Sequence, residues 1–347
     1  LPEKEGWNLS KQKKIKESEF NYAVARIRAI EKGLLDKTRF DRMVEAKTPD
    51  EALKVLLEAG YGRAGTEVKS VFEYEKLLKD EGKKVYELLN ELAPGQEVIN
   101  MFLLSNDYHN VKVILKAEFS RQTETSIFIE PGFVPVEKLK LMIKDRNMKE
   151  LPEIMKKAVE ECIDTYNRTG DPQLIDLILD KAQYRHMLNI SGSFCNKFIN
   201  ELVLSLVDLT NIKIFLRVKN LNKTWDFLQK ILIPGGSIDI KVFFENLDAP
   251  LENFVQAIKY SRYGSLLENS IEIINRTGSL SGFEKLSDNF ITSFVKKARY
   301  VTFGIEPLIG YLMAKETEIK NARIIMVGKI NNISNDIIRE RLREAYV

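Results

Sequence analysis

The sequence is short of the residues that build most catalytic and metal centres. In 347 residues there are two cysteines, Cys162 and Cys195, and two histidines, His109 and His186. No CxxC pair and no cysteine–histidine spacing of a zinc site occurs, so no metal ligand is nominated. A reducing compartment fits, and both thiols are expected to be small apolar fillers. Long apolar runs are also missing. Val98–Leu104 and Leu202–Val207 are broken by polar residues and fall far short of the roughly 18 apolar residues of a membrane span. Nor does one sign of charge dominate: 53 Lys and Arg face 50 Asp and Glu, a net charge of +3. That balance argues against a nucleic-acid partner for the chain as a whole, whose affinity would come from neutralising phosphates.

Phosphate-binding loops fail on context. Gly60, Gly62 and Gly65 spell GxGxxG, but a dinucleotide loop needs a strand before it. Residues 49–59 read as a helix instead, which makes the glycines a helix end and a turn. Gly328-Lys329 is followed by Ile330 and lacks the upstream glycine of a Walker loop. His109 has Thr210 and Lys320 at its matching positions further along the chain, and His186 has no local acidic or thiol partner within its helix turn, so neither reads as a general base. The sequons at Asn167 and Asn275 read as chance matches. No catalytic residue and no cofactor is therefore assigned.

What the chain has is helical periodicity, and a length that suits about two or three domains. Between Phe20 and Leu35 the apolar residues Tyr22, Val24, Ala25, Ile27, Ile30 and Leu34 follow helix spacing. Thr48 suits an N-cap, Pro49 the first helical position and Gly60 the C-terminal stop. Residues 68–91 read as a charged helix and 98–119 as a more buried one. Continuous β-branched runs are scarce, and the fold is expected to be all-α. Residues 1–19 are polar with mixed charge and read as a leader without the apolar stretch of a signal peptide. The chain is expected to be soluble, with any membrane association running through a partner.

Internal repeats change the fold expectation. Asp107, Asn110 and Lys112 lead into an apolar run; so do Asp208, Asn211 and Lys213, and, more loosely, Glu318, Asn321 and Arg323. The asparagines lie 101 and 110 residues apart. Gly33, Gly132 and Gly236 each precede an apolar residue at +7: Phe40, Leu139 and Phe243. A proline-containing acidic turn follows each, and then a glycine turn spelled identically at 167–170 and 275–278. This ordered series points to three similar helical domains after the leader: 20–131, 132–235 and 236–347. Proline and glycine at 131–132 and 234–236 mark the breaks.

The repeated element has two readings. Positions i and i+3 share a helix face, so acid and asparagine can act together. They either hold neighbouring backbone inside the protein or line a surface that receives a partner. As candidate partner-binding residues we nominate Asn110, Lys112, Asn211, Lys213, Asn321 and Arg323, with Arg26 and Arg28.

The stretch Tyr22-Ala-Val-Ala-Arg26-Ile-Arg28-Ala-Ile-Glu-Lys-Gly-Leu34-Leu35 resembles the N-terminal signature of the C-subunit family of A/V-type rotary ATPases, the counterpart of the d-subunit of the eukaryotic vacuolar enzyme. Asp107-Tyr-His-Asn110-Val-Lys112-Val-Ile-Leu-Lys116-Ala is similar to its most recognisable internal motif. The resemblance runs from Tyr22 to the C-terminus. It implies three helical domains arranged as a funnel, whose mouth takes the base of the central stalk and whose opposite face sits on the membrane rotor ring. It implies one non-catalytic copy per complex, peripheral on the cytoplasmic side of the membrane, passing torque between nucleotide sites and proton or sodium transport. The alternative is a helical-repeat scaffold of another assembly.

Overall fold

The computed structural model describes residues 16–62, 68–94, 96–120 and 128–347. Most of the leader, together with Arg63 and Gly65 of the glycine-rich stretch, lies outside the described residues. Among those described there are seventeen α-helices and no strand. The first six are α1 (Asn21–Ile30), α2 (Lys37–Glu45), α3 (Pro49–Glu58), α4 (Tyr74–Leu92), α5 (Glu97–Asn100) and α6 (Leu104–Ser120). Then come α7 (Val136–Lys144), α8 (Glu153–Thr169), α9 (Gln173–Ser193), α10 (Lys197–Asn220), α11 (Trp225–Ile231) and α12 (Ile240–Glu245). The last five are α13 (Leu251–Ile258), α14 (Gly264–Thr277), α15 (Ser281–Val295), α16 (Glu306–Ile330) and α17 (Asn335–Arg341).

Local chemistry sets many of the ends. Thr48 accepts the Glu51 amide at 3.2 Å and Pro49 opens α3. Asp36 and Asn196 cap α2 and α10 in the same way, each satisfying a backbone donor that the first helical turn leaves free. The identical turns at 167–170 and 275–278 share one geometry. Gly170 and Gly278 stop α8 and α14 at φ 67° and 66°, their amides returning to Tyr166 and Ile274. A left-handed residue without a Cβ is what such a stop requires.

Three apolar clusters fill the interior. One gathers residues from both chain ends: Phe40, Met43, Leu56 and Leu77 with Ala322, Ile325, Met326 and Ile338. A second runs from Leu209 through Phe215, Phe243, Phe254 and Tyr263 to Phe283. The largest joins α1, α4 to α9 and the first halves of α10 and α16. The two longest helices therefore each serve two clusters. In α10, Ile199, Leu202 and Val203 lie in the largest cluster, and Ile212, Phe215 and Leu216 in the second. In α16 every residue from Pro307 to Lys315 is buried, as expected of a helix enclosed by others.

Charge is enclosed with that helix. Lys315, nearly buried, places Nζ 2.7 Å from both Glu81 on α4 and Glu318 one turn along. Burial pulls the ammonium down, but the two carboxylates outweigh it and hold it above the usual lysine range. This network joins α4 to α16 across more than 230 residues of sequence. Lys315→Met would leave two carboxylates uncompensated, and the expected loss of stability is about 3–5 kcal/mol. Arg42→Ala, at an exposed pair with Glu58, should cost less than about 1 kcal/mol. Urea unfolding followed by circular dichroism measures both; equal losses would contradict this account of the network.

Candidate functional site

The three repeated acid–asparagine elements occupy corresponding places on long helices. Asp107 and Asn110 lie on α6, Asp208 and Asn211 on α10, and Glu318 and Asn321 on α16, all six buried. Each asparagine acts as a surrogate peptide group. The Asn110 side chain donates to the Ile129 carbonyl and accepts the Ile129 amide, both at 2.9 Å. Asn211 makes the same pair of bonds with Ile233, both at 2.8 Å. Asn321 makes it with Arg343, at 3.0 and 2.9 Å. One amide side chain thereby satisfies both polar groups of a non-helical residue, which has no ladder partner of its own.

The acids hold the segment that follows each early glycine. Asp107 accepts the amides of Phe133 and Val134 at 3.1 and 3.3 Å. Asp208 accepts those of Ser237 and Ile238 at 2.8 and 3.2 Å, and the Ser237 hydroxyl as well. Glu318 accepts the Leu35 amide at 2.5 Å. Val134, Ile238 and Leu35 all stand two residues after Gly132, Gly236 and Gly33. A Cβ at Gly132 or Gly236 would collide with the carboxylate it faces. The third acid reaches back to the start of the chain, across 283 residues.

The bases two positions after each asparagine form a third recurrent contact. Lys112 pairs with Asp180 on α9 at 2.5 Å, Lys213 with Glu284 on α15 at 2.5 Å, and Arg323 with Glu75 on α4 at 2.7 Å. These ion pairs are partly exposed and tie each long helix to its neighbour, each for less than about 1 kcal/mol. The nominated residues thus divide by position. Asn110, Asn211 and Asn321 are interior, with their amides bonded to backbone. Arg28 is turned inward too: its guanidinium meets Glu31 and donates to the carbonyls of Ala298 and Val301 at 2.8 and 2.9 Å. Arg26 is exposed on α1.

Two participants escaped the sequence reading. The Tyr61 hydroxyl donates to Glu318 at 2.6 Å and that of Tyr263 to Asp208 at 2.7 Å. A recurrent Tyr-Gly pair, Tyr61-Gly62 and Tyr263-Gly264, was the signal. Asp107 receives no phenol; burial raises its carboxyl to about 7, against the pull of the Val134 and Phe133 amides. Cys162 and His186 are also enclosed. Burial pushes the Cys162 thiol up to about 12 and the His186 imidazole down to about 4, so neither is an activated nucleophile or base near neutrality. Among the described residues no three potential metal ligands gather, and no helix is long and apolar enough to cross a membrane.

Among the described residues these features define an all-helical protein whose shared polar groups hold its own backbone. The profile of the ATP synthase (C/AC39) subunit family matches residues 23–341, and the chain belongs to that family. It is a non-catalytic subunit of a V/A-type ATPase. It is 28% identical to the C-subunit of the V-type sodium ATPase of Enterococcus hirae over 323 residues, covering 92% of this chain and 97% of that one. It is 27% identical to the C-subunit of the A-type ATP synthase of Methanocaldococcus jannaschii, over 93% and 86% of the two chains. The corresponding protein of Pyrococcus furiosus is 26% identical over 94% and 89%.

Two measurements test this site. Asn211→Ala strands both polar groups of Ile233 and should cost about 2–4 kcal/mol, whereas Lys213→Ala should cost under about 1 kcal/mol; reversed magnitudes in chemical denaturation would refute the division between interior and rim. For Asp107 the folded value lies above the ordinary carboxylate value of 3.8, so the native state keeps a proton that the unfolded chain has lost. Its stabilising contribution is complete below about pH 4 and lost as pH rises through about 7. Asp107→Asn removes that titration. Its melting temperature, lower than wild type at pH 5, should draw level with or pass it by pH 8; a gap independent of pH would refute the assignment.

Proposed function

We propose that this chain is the rotor component that couples the central stalk of a V/A-type ATPase to its membrane ring, transmitting torque for ATP-linked proton or sodium transport. In this reading residues 20–131, 132–235 and 236–347 are three repeats arranged as a funnel. The central stalk enters the mouth and the ring lies at the opposite face. One copy serves each complex, on the cytoplasmic side of the membrane.

The observation that carries the proposal is the order of the acid contacts. An acid of the first segment holds the start of the second, one of the second holds the start of the third, and Glu318 of the third holds Leu35 of the first. That head-to-tail series favours a closed arrangement of three over an open arc. A closed body of packed helices resists deformation, as torque transfer demands. Family membership and the relatives' names supply the partners.

Of the nominated residues, Arg26 is the exposed cation best placed for a partner, with Lys112, Lys213 and Arg323 offering part-exposed ion pairs at the edge of each repeat. Arg28, Asn110, Asn211 and Asn321 act through the shape they maintain. Affinity purification of the tagged chain from mildly solubilised membranes, read by mass spectrometry, should recover central-stalk proteins and the small ring protein. Arg26→Glu should reduce that recovery most at low salt, the gap to wild type narrowing as salt screens the charge, without lowering the melting temperature. Recovery of an unrelated set of proteins would overturn the proposal in favour of a scaffold of another assembly; full recovery with Arg26→Glu would remove Arg26 from the contact.

A further inference from the structure

A cavity of about 380 Å³ lies between the start of α6 and the end of α9, bordered by Phe133 of the segment that Asp107 holds. Its floor is apolar and buried, formed by Met101, Leu104 and Phe194. Half-buried Ile190 and exposed Phe133 extend that wall toward the surface. His186, Ile190 and Ser193 follow helix spacing on α9 and all line it, so one face of that helix is turned toward the space.

His186 is more than nine-tenths buried and forms part of this lining. Its Nδ1 lies 3.4 Å from the Tyr108 hydroxyl, and the two rings meet edge to face. Burial holds the Tyr108 phenol above its ordinary range, so the hydroxyl keeps its proton, and in one of the two tautomers open to the pair it donates to Nδ1. The single proton of a neutral imidazole then sits on Nε2. Nε2 has no hydrogen-bond partner among the described residues, yet it is not one of the sealed, unsatisfied atoms. A buried donor left open costs free energy unless something accepts from it. The one charged residue on the lining is Glu97, at the exposed mouth. With no cation there, phosphates and carboxylates are poorly matched.

We propose that this cavity is a binding site for a neutral, largely apolar small molecule carrying a carbonyl or hydroxyl oxygen, which accepts a hydrogen bond from His186 Nε2. The volume falls within the usual range of small-ligand pockets, and apolar walls with one or two fixed polar groups are the usual construction of such sites. The molecule's body would lie against Met101, Leu104 and Phe194 and its polar edge toward His186.

Nile red, a neutral dye with a ring carbonyl, is a suitable probe for the full-length protein. Titration followed by fluorescence should saturate at one dye per chain, with blue-shifted emission. Ile190→Trp, at a half-buried position, fills the cavity and should weaken binding at least tenfold. His186→Phe keeps the ring volume, removes the donor and should weaken it roughly tenfold, the worth of one buried hydrogen bond. Circular dichroism and melting temperature verify that each variant is folded; should His186→Phe fail that check, Ile190→Trp carries the test. Non-saturating binding, or wild-type affinity in folded Ile190→Trp, would overturn the proposal.

Discussion

Three carboxylates enclosed in helices, each aimed at the backbone of a distant segment, are the constraint on which the arrangement rests. A buried peptide group must find a partner, and segments that cross between helices have none in a ladder. Asp107, Asp208 and Glu318 meet that need at 133–134, 237–238 and 35. Asn110, Asn211 and Asn321 meet it at 129, 233 and 343. Enclosing a carboxylate is costly in itself, and the three sites offset the cost differently. Glu318 has an ammonium and a phenol, Asp208 a phenol and a hydroxyl, and Asp107 two amides alone.

That difference gives one pattern two kinds of behaviour. Asp107, which has the fewest donors, holds its proton to about neutral pH. The site that joins the chain's two ends is ionic, linking Glu81, Lys315 and Glu318. No covalent connection brings residues near 35 and 318 together, so that union depends on side chains and on the mixed apolar cluster beneath it. The other two sites join segments separated by no more than thirty residues, where closing the loop costs little extra entropy.

The long helices α10 and α16 distribute this order. Each begins in the largest apolar cluster and ends in another, so displacing one cluster means moving a rigid rod anchored in a second. Close-packed interiors transmit such displacement instead of absorbing it. Under the proposed torque-carrying role, stiffness of this kind is what such a part requires.

The all-helical class was legible in the sequence because helix periodicity, caps and stops are local. Thr48, Pro49 and Gly60 announce α3, and the matching turns at 167–170 and 275–278 end α8 and α14 with the same geometry. The spacing of Asp107, Asn110 and Lys112 and their counterparts was equally visible, since i and i+3 share a face in any helix. Which way that face turns is a tertiary matter. The asparagines could have lined an outer surface; their burial follows from packing against segments about twenty residues onward, and one side chain matched to one peptide group carries no local signature. The phenols of Tyr61 and Tyr263, the enclosure of Lys315 and the open Nε2 of His186 depend likewise on contacts between distant elements. Sequence determines which helices form; only their packing decides which polar groups lose water and must find one another.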